Sequence, residues 1–368
     1  MDAQRFDGPP GPEVRIDDRP FLYFGGTGYL GIQARPELAA AADRAFRRYG
    51  IHPATSRSGF GETHPLLEAE SAAARFFRTE SCWLLPSGWA VGSALMDAHR
   101  SRHDRLFVDQ HAHYALREAA RASGRPIVIF DHIDPAALRS RIDATLLGNE
   151  RPVVLTDGVF PVSGRLAPLD RYLGILTGYD DSLMIVDDAH GVGVVGPDGR
   201  GTAAHFGLEH SERVRFGGTA SKAFGGYGGL LPGSTLRVEE LRERSRWFEG
   251  STPLPTPIAA ATAEALRIAH EEPELRTALA ARTQQLRQGL RGLGLQAEDL
   301  PTPIVPIVLP EAAAMRRLAA QLRERGLLVP YLPRYAGIGP DGALRIAVFA
   351  THTAAHVDAL LEALRQIL

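Results

Sequence analysis

Between about residues 80 and 235, short apolar segments alternate with amphipathic ones along the chain. Seven apolar segments have the length and composition of buried strands. They are Cys82–Leu85, Leu106–Val108, Pro126–Phe130, Pro152–Thr156, Leu183–Asp187, Val214–Gly217 and Gly229–Leu231. Segments such as Leu66–Arg78 and Tyr114–Ser123 have helical periodicity and begin or end with capping residues. The alternation predicts an α/β fold, in which helices cover a parallel sheet.

The pattern changes after the proline-rich segment Ser251–Pro257. Long Ala/Leu/Arg helices follow, from Ile258 to about Leu293, and then a smaller set of strands and helices. These are the strands Val305–Leu309, Leu327–Tyr331 and Leu344–Phe349 and the helices Glu311–Gly326 and Thr353–Leu368. We therefore predict an N-terminal segment (residues 1–50), a large domain with its connecting helix (51–293) and a small α+β domain (294–368).

Composition excludes several classes of function. The formal net charge is -2 and both signs are interspersed, so we expect no binding to nucleic acid. No apolar run is long enough for a membrane span, and the polar N-terminus does not resemble an export signal, so we expect a cytoplasmic protein. Cys82 is the single cysteine, which excludes internal disulfides and cysteine-based metal clusters.

Lys222 is the single lysine among 41 basic residues, and the other 40 are arginines. A genome that favours arginine codons explains the excess of arginine. Arginine replaces lysine where only charge is needed, but it cannot form an imine, because its guanidinium stays protonated. We therefore expect Lys222 to be catalytic.

Ligands of open α/β sheets bind beyond the carboxyl ends of the strands. Five predicted strand ends carry glycine or polar residues that suit a ligand. They are Pro86–Ala90, Asp109–His113, Thr156–Phe160, Asp187–Gly191 and the glycine-rich segment Gly217–Gly229 around Lys222.

The residues at these five strand ends together suit a phosphorylated pyridine aldehyde as ligand. Lys222 would form the imine, Asp187 would keep a pyridinium nitrogen protonated, and a histidine after Val108 would stack on the ring. The helix that begins near Gly88 would bind the phosphate. Pyridoxal 5'-phosphate is the cofactor with this combination of groups.

Two other ligands remain open from the residues alone. His111, His190 and Asp187 could bind a metal ion, although such a site leaves the glycine-surrounded lysine unexplained. A dinucleotide is disfavoured, because no strand is followed by Gly-x-Gly-x-x-Gly with an acidic residue about twenty positions later.

From about Tyr29 to the C-terminus the chain resembles the α-oxoamine synthases, a family of fold type I pyridoxal-phosphate enzymes. The similarity lies in short stretches whose order and spacing match. They are Tyr29–Ile32, Ser56–Gly59, Ser87–Ala90, Asp109–Ala112, Thr156–Phe160, Val186–Gly191, Thr219–Lys222 and Leu344–Ile346. The resemblance implies a large domain with a mostly parallel seven-stranded sheet and a small α+β C-terminal domain.

The resemblance also implies roles for single residues. Lys222 would hold the cofactor as a Schiff base, Asp187 would contact the pyridine nitrogen and His190 the phenolic oxygen. His111 would stack on the ring, with Asp157 as its acidic support.

The resemblance implies further contacts with the phosphate and the substrate. The phosphate contacts would be Ser87, Gly88, Trp89 and Thr219, joined by Ser251 and Thr252 of the partner subunit in a homodimer. Arg345 would bind the substrate carboxylate, with Thr27 nearby.

The implied reaction joins a small α-amino acid to an acyl thioester of coenzyme A or an acyl carrier protein. Carbon dioxide is lost and an α-amino ketone forms. The chain departs from the family on the substrate side, at Gly26–Gly31 with Thr27, at Pro161 and at His52–Thr55. A different pyridoxal-phosphate reaction therefore remains an alternative: transamination, aldol or Mannich-type bond formation, or decarboxylation. A catalytically silent, cofactor-binding subunit is a third hypothesis.

Overall fold

The computed structural model describes residues 5–368. The described chain begins with two short strands and a helix. They are β1 (Glu13–Ile16), β2 (Arg19–Tyr23) and α1 (Pro36–Tyr49), with a single 3-10 turn over Ile32–Ala34 before α1.

The next part of the chain contains seven strands and the helices that alternate with them. In chain order these are α2 (His64–Phe77), β3 (Ser81–Leu85), α3 (Ala90–Ala98), β4 (Arg105–Asp109), α4 (Tyr114–Ala122), β5 (Ile127–Phe130), α5 (Pro135–Thr145), β6 (Pro152–Asp157), α6 (Leu169–Leu176), β7 (Leu183–Asp187), α7 (Thr202–His205), β8 (Val214–Thr219), β9 (Gly229–Gly233), α8 (Thr235–Arg244), α9 (Thr256–Glu271) and α10 (Glu274–Gly292). All seven predicted strands are present, and their ends differ from the prediction by at most two residues.

The seven strands form one sheet in the order β3-β9-β8-β7-β6-β4-β5. Strands β4 to β8 are parallel to one another, whereas β9 runs antiparallel to both β3 and β8. The prediction of a fold type I architecture with a mostly parallel sheet is confirmed.

Helices cover both faces of this sheet, so its central strands are buried on both sides. Along β6, Val154 faces a core shared with α2 and α9, while Val153 and Leu155 face a second core shared with α3 and α4. Successive side chains of a strand point to opposite faces, which is why a run of apolar residues fits here.

The C-terminal part contains a small antiparallel sheet with helices packed on it. Its elements are β10 (Ile304–Ile307), α11 (Ala312–Glu324), β11 (Leu327–Leu328), β12 (Tyr331–Leu332), β13 (Ala343–Ala347) and α12 (Ala354–Ile367). The sheet order is β10-β13-β12, whereas β11 pairs with β2 in a separate sheet.

One expectation from the sequence needs correction. The single strand expected over Leu327–Tyr331 is two short strands in different sheets, because Pro330 lacks an N–H and interrupts the pairing. The long helices predicted from Ile258 to about Leu293 are α9 and α10, with Pro273 between them.

The N-terminal segment packs against both other parts of the chain. Leu22 of β2 pairs with Leu327 of β11, while α1 packs against α9. Leu286 and Leu290 of α10 likewise contribute to the core of the small C-terminal sheet. Residues 24–35 therefore run between the large sheet and the small one, which places them beside the functional site described next.

Among residues 5–368, no helix is long and apolar enough to cross a membrane.

Candidate active site

Two carboxylates stand side by side at the carboxyl edge of the large sheet. Asp157 ends β6, Asp187 ends β7, and the two residues are directly opposite in the strand register. Lys222 follows the end of β8, the next strand of the sheet. The parallel strands thus bring an amine and two carboxylates to one edge.

Lys222 lies in a tight loop with its amine in the interior. The backbone N–H of Gly225 donates to the Lys222 carbonyl at 3.0 Å, and the N–H of Gly226 donates to that of Ala220 at 2.9 Å. The Nζ atom of Lys222 is 2.8 Å from Nε2 of His190. Burial lowers the pKa of Lys222 to about 8, although the nearby Asp187 carboxylate acts against this shift. About one tenth of the amine is therefore uncharged at pH 7, and about half of it at pH 8.

The turn after β7 holds His190 in place through a buried acid. Asp188 accepts hydrogen bonds from the backbone N–H and the hydroxyl of Thr202, both at 2.5 Å. Burial raises the pKa of Asp188 to about 7. A Cβ on Gly191 would lie only 2.0 Å from the Asp188 carboxylate, so the turn requires glycine there. Asp188 is thus structural, while Asp187 faces the site.

The histidine that the structure brings to this edge is His113, not His111. Burial lowers the pKa of His113, and the charges of Asp187 and Lys222 also act on it. The backbone N–H of His113 donates to Asp157 at 3.0 Å. His113 precedes the first residue of α4 and accepts a hydrogen bond from the backbone N–H of Ala115 as its N-cap.

His111 points to a different neighbour. Its ring centroid is 4.3 Å from that of His132, and its backbone N–H donates to the Asp109 carboxylate at 2.8 Å. Asp109 also accepts from the His132 ring at 2.8 Å. Because Asp109 fixes the turn in this way, His111 does not lie at the edge that carries Lys222, where it was expected to stack on the cofactor ring. Asp157, which was expected to support His111, contacts His113 instead.

The turn between β3 and α3 lies against the end of β8. A Cβ on Gly88 would lie 2.6 Å from the Thr219 hydroxyl oxygen, so the two segments touch closely only because residue 88 is glycine. The Ser87 hydroxyl accepts from the Trp89 backbone N–H at 3.2 Å, and Trp89 precedes the first residue of α3. Small residues and the start of a helix thus form a cradle of the kind that binds phosphate.

Arg345 reaches the same edge from β13 of the small sheet. Its guanidinium donates to the carbonyl oxygens of Pro161 and Gly26, at 2.6 and 2.8 Å, and to the Tyr29 hydroxyl at 3.0 Å. The side chain is buried and has no acidic partner among these contacts. Thr27 lies half-buried in the segment that these bonds hold.

Ser251 and Thr252 line a small pocket together with Leu85 and Pro86, at the end of β3. Ser251 lines a cavity of about 560 Å³ together with Trp247, Met96 and Ala119, between α3, α4 and the segment before α9. Thr252 is exposed. Their expected phosphate contacts are not made within one chain.

The structure adds two aromatic residues to the site, and neither has a role predicted from the sequence. Tyr29 was matched to the family, and its hydroxyl lies 2.7 Å from Nδ1 of His190. Tyr335 lies in the loop before β13 with its ring centroid 6.4 Å from that of His113. An aromatic residue in a glycine-rich loop just before the strand of Arg345 was the available signal for Tyr335.

The observed groups suit pyridoxal 5'-phosphate. The site offers a buried amine of lowered pKa, an adjacent carboxylate on β7 and a close-packed turn at the start of a helix. Among the described residues 5–368, no group of three or more histidine, cysteine or acidic side chains could hold a metal ion.

Comparisons with known proteins agree with this geometry. Residues 28–364 match the family described as aminotransferase class I and II. The chain is 34% identical over 362 residues to 8-amino-7-oxononanoate synthase of Nitrosococcus oceani, covering 98% of this chain and 95% of that protein. It is 35% identical over 360 residues to the synthase of the same name from Pseudomonas putida, covering 98% and 91%.

Solved structures show the same fold. Serine palmitoyltransferase of Sphingomonas wittichii superposes with a TM-score of 0.92 at 25% identity, covering 99% of this chain and 92% of that one. An 8-amino-7-oxononanoate synthase from Francisella tularensis gives a TM-score of 0.78 at 24% identity, covering 94% and 97%.

The chain therefore belongs to the aminotransferase class I and II family, as a fold type I enzyme dependent on pyridoxal 5'-phosphate. Its similarity over nearly the full length to 8-amino-7-oxononanoate synthases confirms the resemblance to the α-oxoamine synthases.

Proposed function

We propose that this enzyme joins a small α-amino acid to an acyl thioester, with loss of carbon dioxide, and releases an α-amino ketone. The observation that carries the proposal is the buried chain of contacts from Lys222 through His190 and Tyr29 to Arg345. It holds an amine and a carboxylate-binding guanidinium in one site, as a reaction on an α-amino acid requires.

We further propose which residues hold the cofactor. Lys222 would bind it covalently, Asp187 would pair with its ring nitrogen, and His113 would lie against the ring. Ser87, Gly88, Trp89 and Thr219 would bind the phosphate. When bound, the cofactor stabilises negative charge at the substrate α-carbon.

Arg345 is suited to bind the substrate carboxylate. A guanidinium has five N–H groups, and three of them donate to Pro161, Gly26 and Tyr29, which leaves two. Two N–H groups on a planar fork can pair with both oxygens of a carboxylate. The three existing bonds hold the fork in place before substrate arrives.

Lys222 is suited to move a proton at the substrate α-carbon. Its amine is a competent general base only when uncharged, and burial lowers its pKa to about 8. Tyr335 and His113 lie at the mouth of the same site, where they would help to exclude water.

The reaction is tested with purified enzyme, single small amino acids and thioesters of both coenzyme A and acyl carrier protein. We expect free thiol and carbon dioxide in equal amounts, and no products from Lys222→Ala under the same conditions. Release of a keto acid from the amino acid, without thiol or carbon dioxide, would instead identify a transaminase. The thioester series also distinguishes the two acyl carriers.

We also propose a homodimer with shared sites, in which Ser251 and Thr252 reach the phosphate of the partner subunit. Thr252 is exposed, and Ser251 lies beside a cavity at the surface with the half-exposed Trp247. A second copy of the chain would cover that region.

The shared site is tested with tagged heterodimers. A subunit with Lys222→Ala paired with a subunit carrying Ser251→Asp and Thr252→Asp keeps one intact site of two, so about half of the activity should return. In the matched control, all three substitutions are on one subunit and the other is wild type, so both sites are damaged and no activity is expected. Equal activity in the two heterodimers, or a monomer in light scattering, would contradict the proposal.

A further inference from the structure

Four buried side chains form a continuous hydrogen-bonded chain across the site. Lys222 Nζ lies 2.8 Å from His190 Nε2, and His190 Nδ1 lies 2.7 Å from the Tyr29 hydroxyl. The Tyr29 oxygen accepts from Arg345 Nη2 at 3.0 Å. Tyr29 is the central member, and its solvent exposure is 0%.

The direction of these hydrogen bonds follows from the chemistry at the two ends. A guanidinium can only donate, so the Tyr29 oxygen is the acceptor for Arg345. The single hydroxyl hydrogen of Tyr29 is then free for His190 Nδ1, which must be an acceptor. A neutral imidazole with Nδ1 unprotonated carries its hydrogen on Nε2, and this N–H points to Lys222.

The opposite arrangement leaves a buried donor without a partner. If a charged Lys222 donated to Nε2, the hydrogen of His190 would lie on Nδ1 and point at Tyr29. The Tyr29 oxygen would then accept twice, and its own hydrogen would have no acceptor among the observed contacts. An unpaired buried donor is costly, so the first arrangement is favoured.

The backbone holds Tyr29 firmly in this position. Its carbonyl accepts from the N–H of Ala350 at 2.7 Å, and the next residue, Leu30, donates to the carbonyl of Ala223 at 3.4 Å. Tyr29 is thereby tied both to the small sheet and to the loop of Lys222. The backbone at Tyr29 cannot shift without breaking these contacts.

We propose that Tyr29 is a positioning residue that fixes the tautomer of His190, so that Nε2–H faces Lys222 and the amine is kept as an acceptor. This role concerns the protein before it binds cofactor, and it does not depend on which reaction follows. With cofactor bound, the same N–H is available to an oxygen acceptor.

The effect on Lys222 is measurable because its other electrostatic neighbours are known. Asp187 and Asp157 raise its pKa, Arg345 lowers it, and burial has the largest effect and lowers it. Lys222 also acts on His113. Tyr29→Phe removes none of these groups but removes the partner of Nδ1, so either tautomer of His190 then leaves Nδ1 unpaired and the uncharged amine loses its advantage. The charged form gains, and the pKa of Lys222 should rise by about one pH unit, the size of one buried hydrogen bond.

The single lysine makes the test direct. Growth on lysine labelled with carbon-13 at Cε gives one side-chain resonance, whose chemical shift is followed with pH in the cofactor-free protein. We expect a midpoint for Tyr29→Phe about one pH unit above that of the wild type. Tyr172→Phe is the matched control, because Tyr172 is equally buried but its hydroxyl has no hydrogen-bond partner in the structure. An unchanged or lowered midpoint in Tyr29→Phe would overturn the proposal.

A second measurement does not use Tyr29→Phe. Nitrogen-15 spectra of histidine-labelled wild type, with His190 assigned by comparison with His190→Asn, report which ring nitrogen carries the hydrogen. Above pH 8, where the amine of Lys222 is mostly uncharged, the proposal requires an unprotonated Nδ1 and a protonated Nε2. A protonated Nδ1 would contradict it.

Discussion

Lys222, Asp187 and Asp157 stand at or just after the ends of three neighbouring strands of one sheet, whereas Arg345 reaches the site from another sheet. The first group acts through its own side chains, and each of those side chains has a chemistry that few residue types share. Strand geometry alone brings them together, since the carboxyl ends of parallel strands meet at one edge.

The substrate side is assembled differently. Arg345 is held by the backbone carbonyls of Pro161 and Gly26, from two other segments of the chain. Every residue has a carbonyl, so the departures from the family at these two positions do not remove the contacts. The cofactor side thus depends on which residue is present, and much of the substrate side depends on where the backbone runs.

Replacement of Lys222 should give the largest effect. Lys222→Arg keeps a positive charge but removes the amine, and we expect activity to fall at least about a thousandfold because covalent catalysis is lost. Borohydride treatment followed by mass spectrometry should find no cofactor attached to the variant. Covalent attachment that survives would contradict the assignment, since the chain contains no second lysine.

The pH dependence of cofactor capture tests the same amine without a mutation. Burial lowers the pKa of Lys222 from its usual 10.5 to about 8. Below that pH the amine becomes protonated and unreactive, so the rate of reconstitution should approach a tenfold fall for each pH unit, or about fiftyfold from pH 8 to pH 6. Above pH 8 the rate should level off. A rate that continues to rise up to pH 10 would mean that the amine is not desolvated.

Arg345→Lys tests the substrate side where a side chain does matter. A lysine cannot present two parallel N–H groups to a carboxylate, so KM for the amino acid should rise about tenfold to a hundredfold. Cofactor absorbance should be unchanged, which separates substrate binding from loss of the cofactor. If KM stayed constant and only the melting temperature fell, Arg345 would have a structural role alone.

The two histidines after β4 give a matched pair. His113→Ala should weaken cofactor binding about tenfold, as expected for loss of a stacked ring, while His111→Ala should change it less than twofold. Equilibrium titration with cofactor gives both constants, and thermal unfolding controls for stability. If His111→Ala weakened cofactor binding more than His113→Ala does, His111 would be the stacking residue.

His111 and His113 also show how much of the site can be predicted from the sequence. The apolar pattern predicted all seven strands, and with them the edge that carries Lys222, Asp187 and Asp157. It could not show which of two histidines in one turn faces the ligand, because Asp109 decides the course of that turn by binding both the backbone of His111 and the ring of His132. The same limit applies to Tyr29 and Arg345, which are far apart in the chain and meet only through folding.

Pro161→Ser should have the smallest effect, and it tests most closely whether backbone or side chain matters on the substrate side. The position contributes a carbonyl to Arg345 at 2.6 Å, and serine supplies the same carbonyl, so KM for the amino acid should change less than about threefold. Steady-state kinetics of Pro161→Ser and Arg345→Lys, measured side by side, provide the comparison of KM. A tenfold change in KM with an unaltered melting temperature would show that the proline ring itself shapes the substrate pocket. The substrate side would then depend on residue identity just as the cofactor side does.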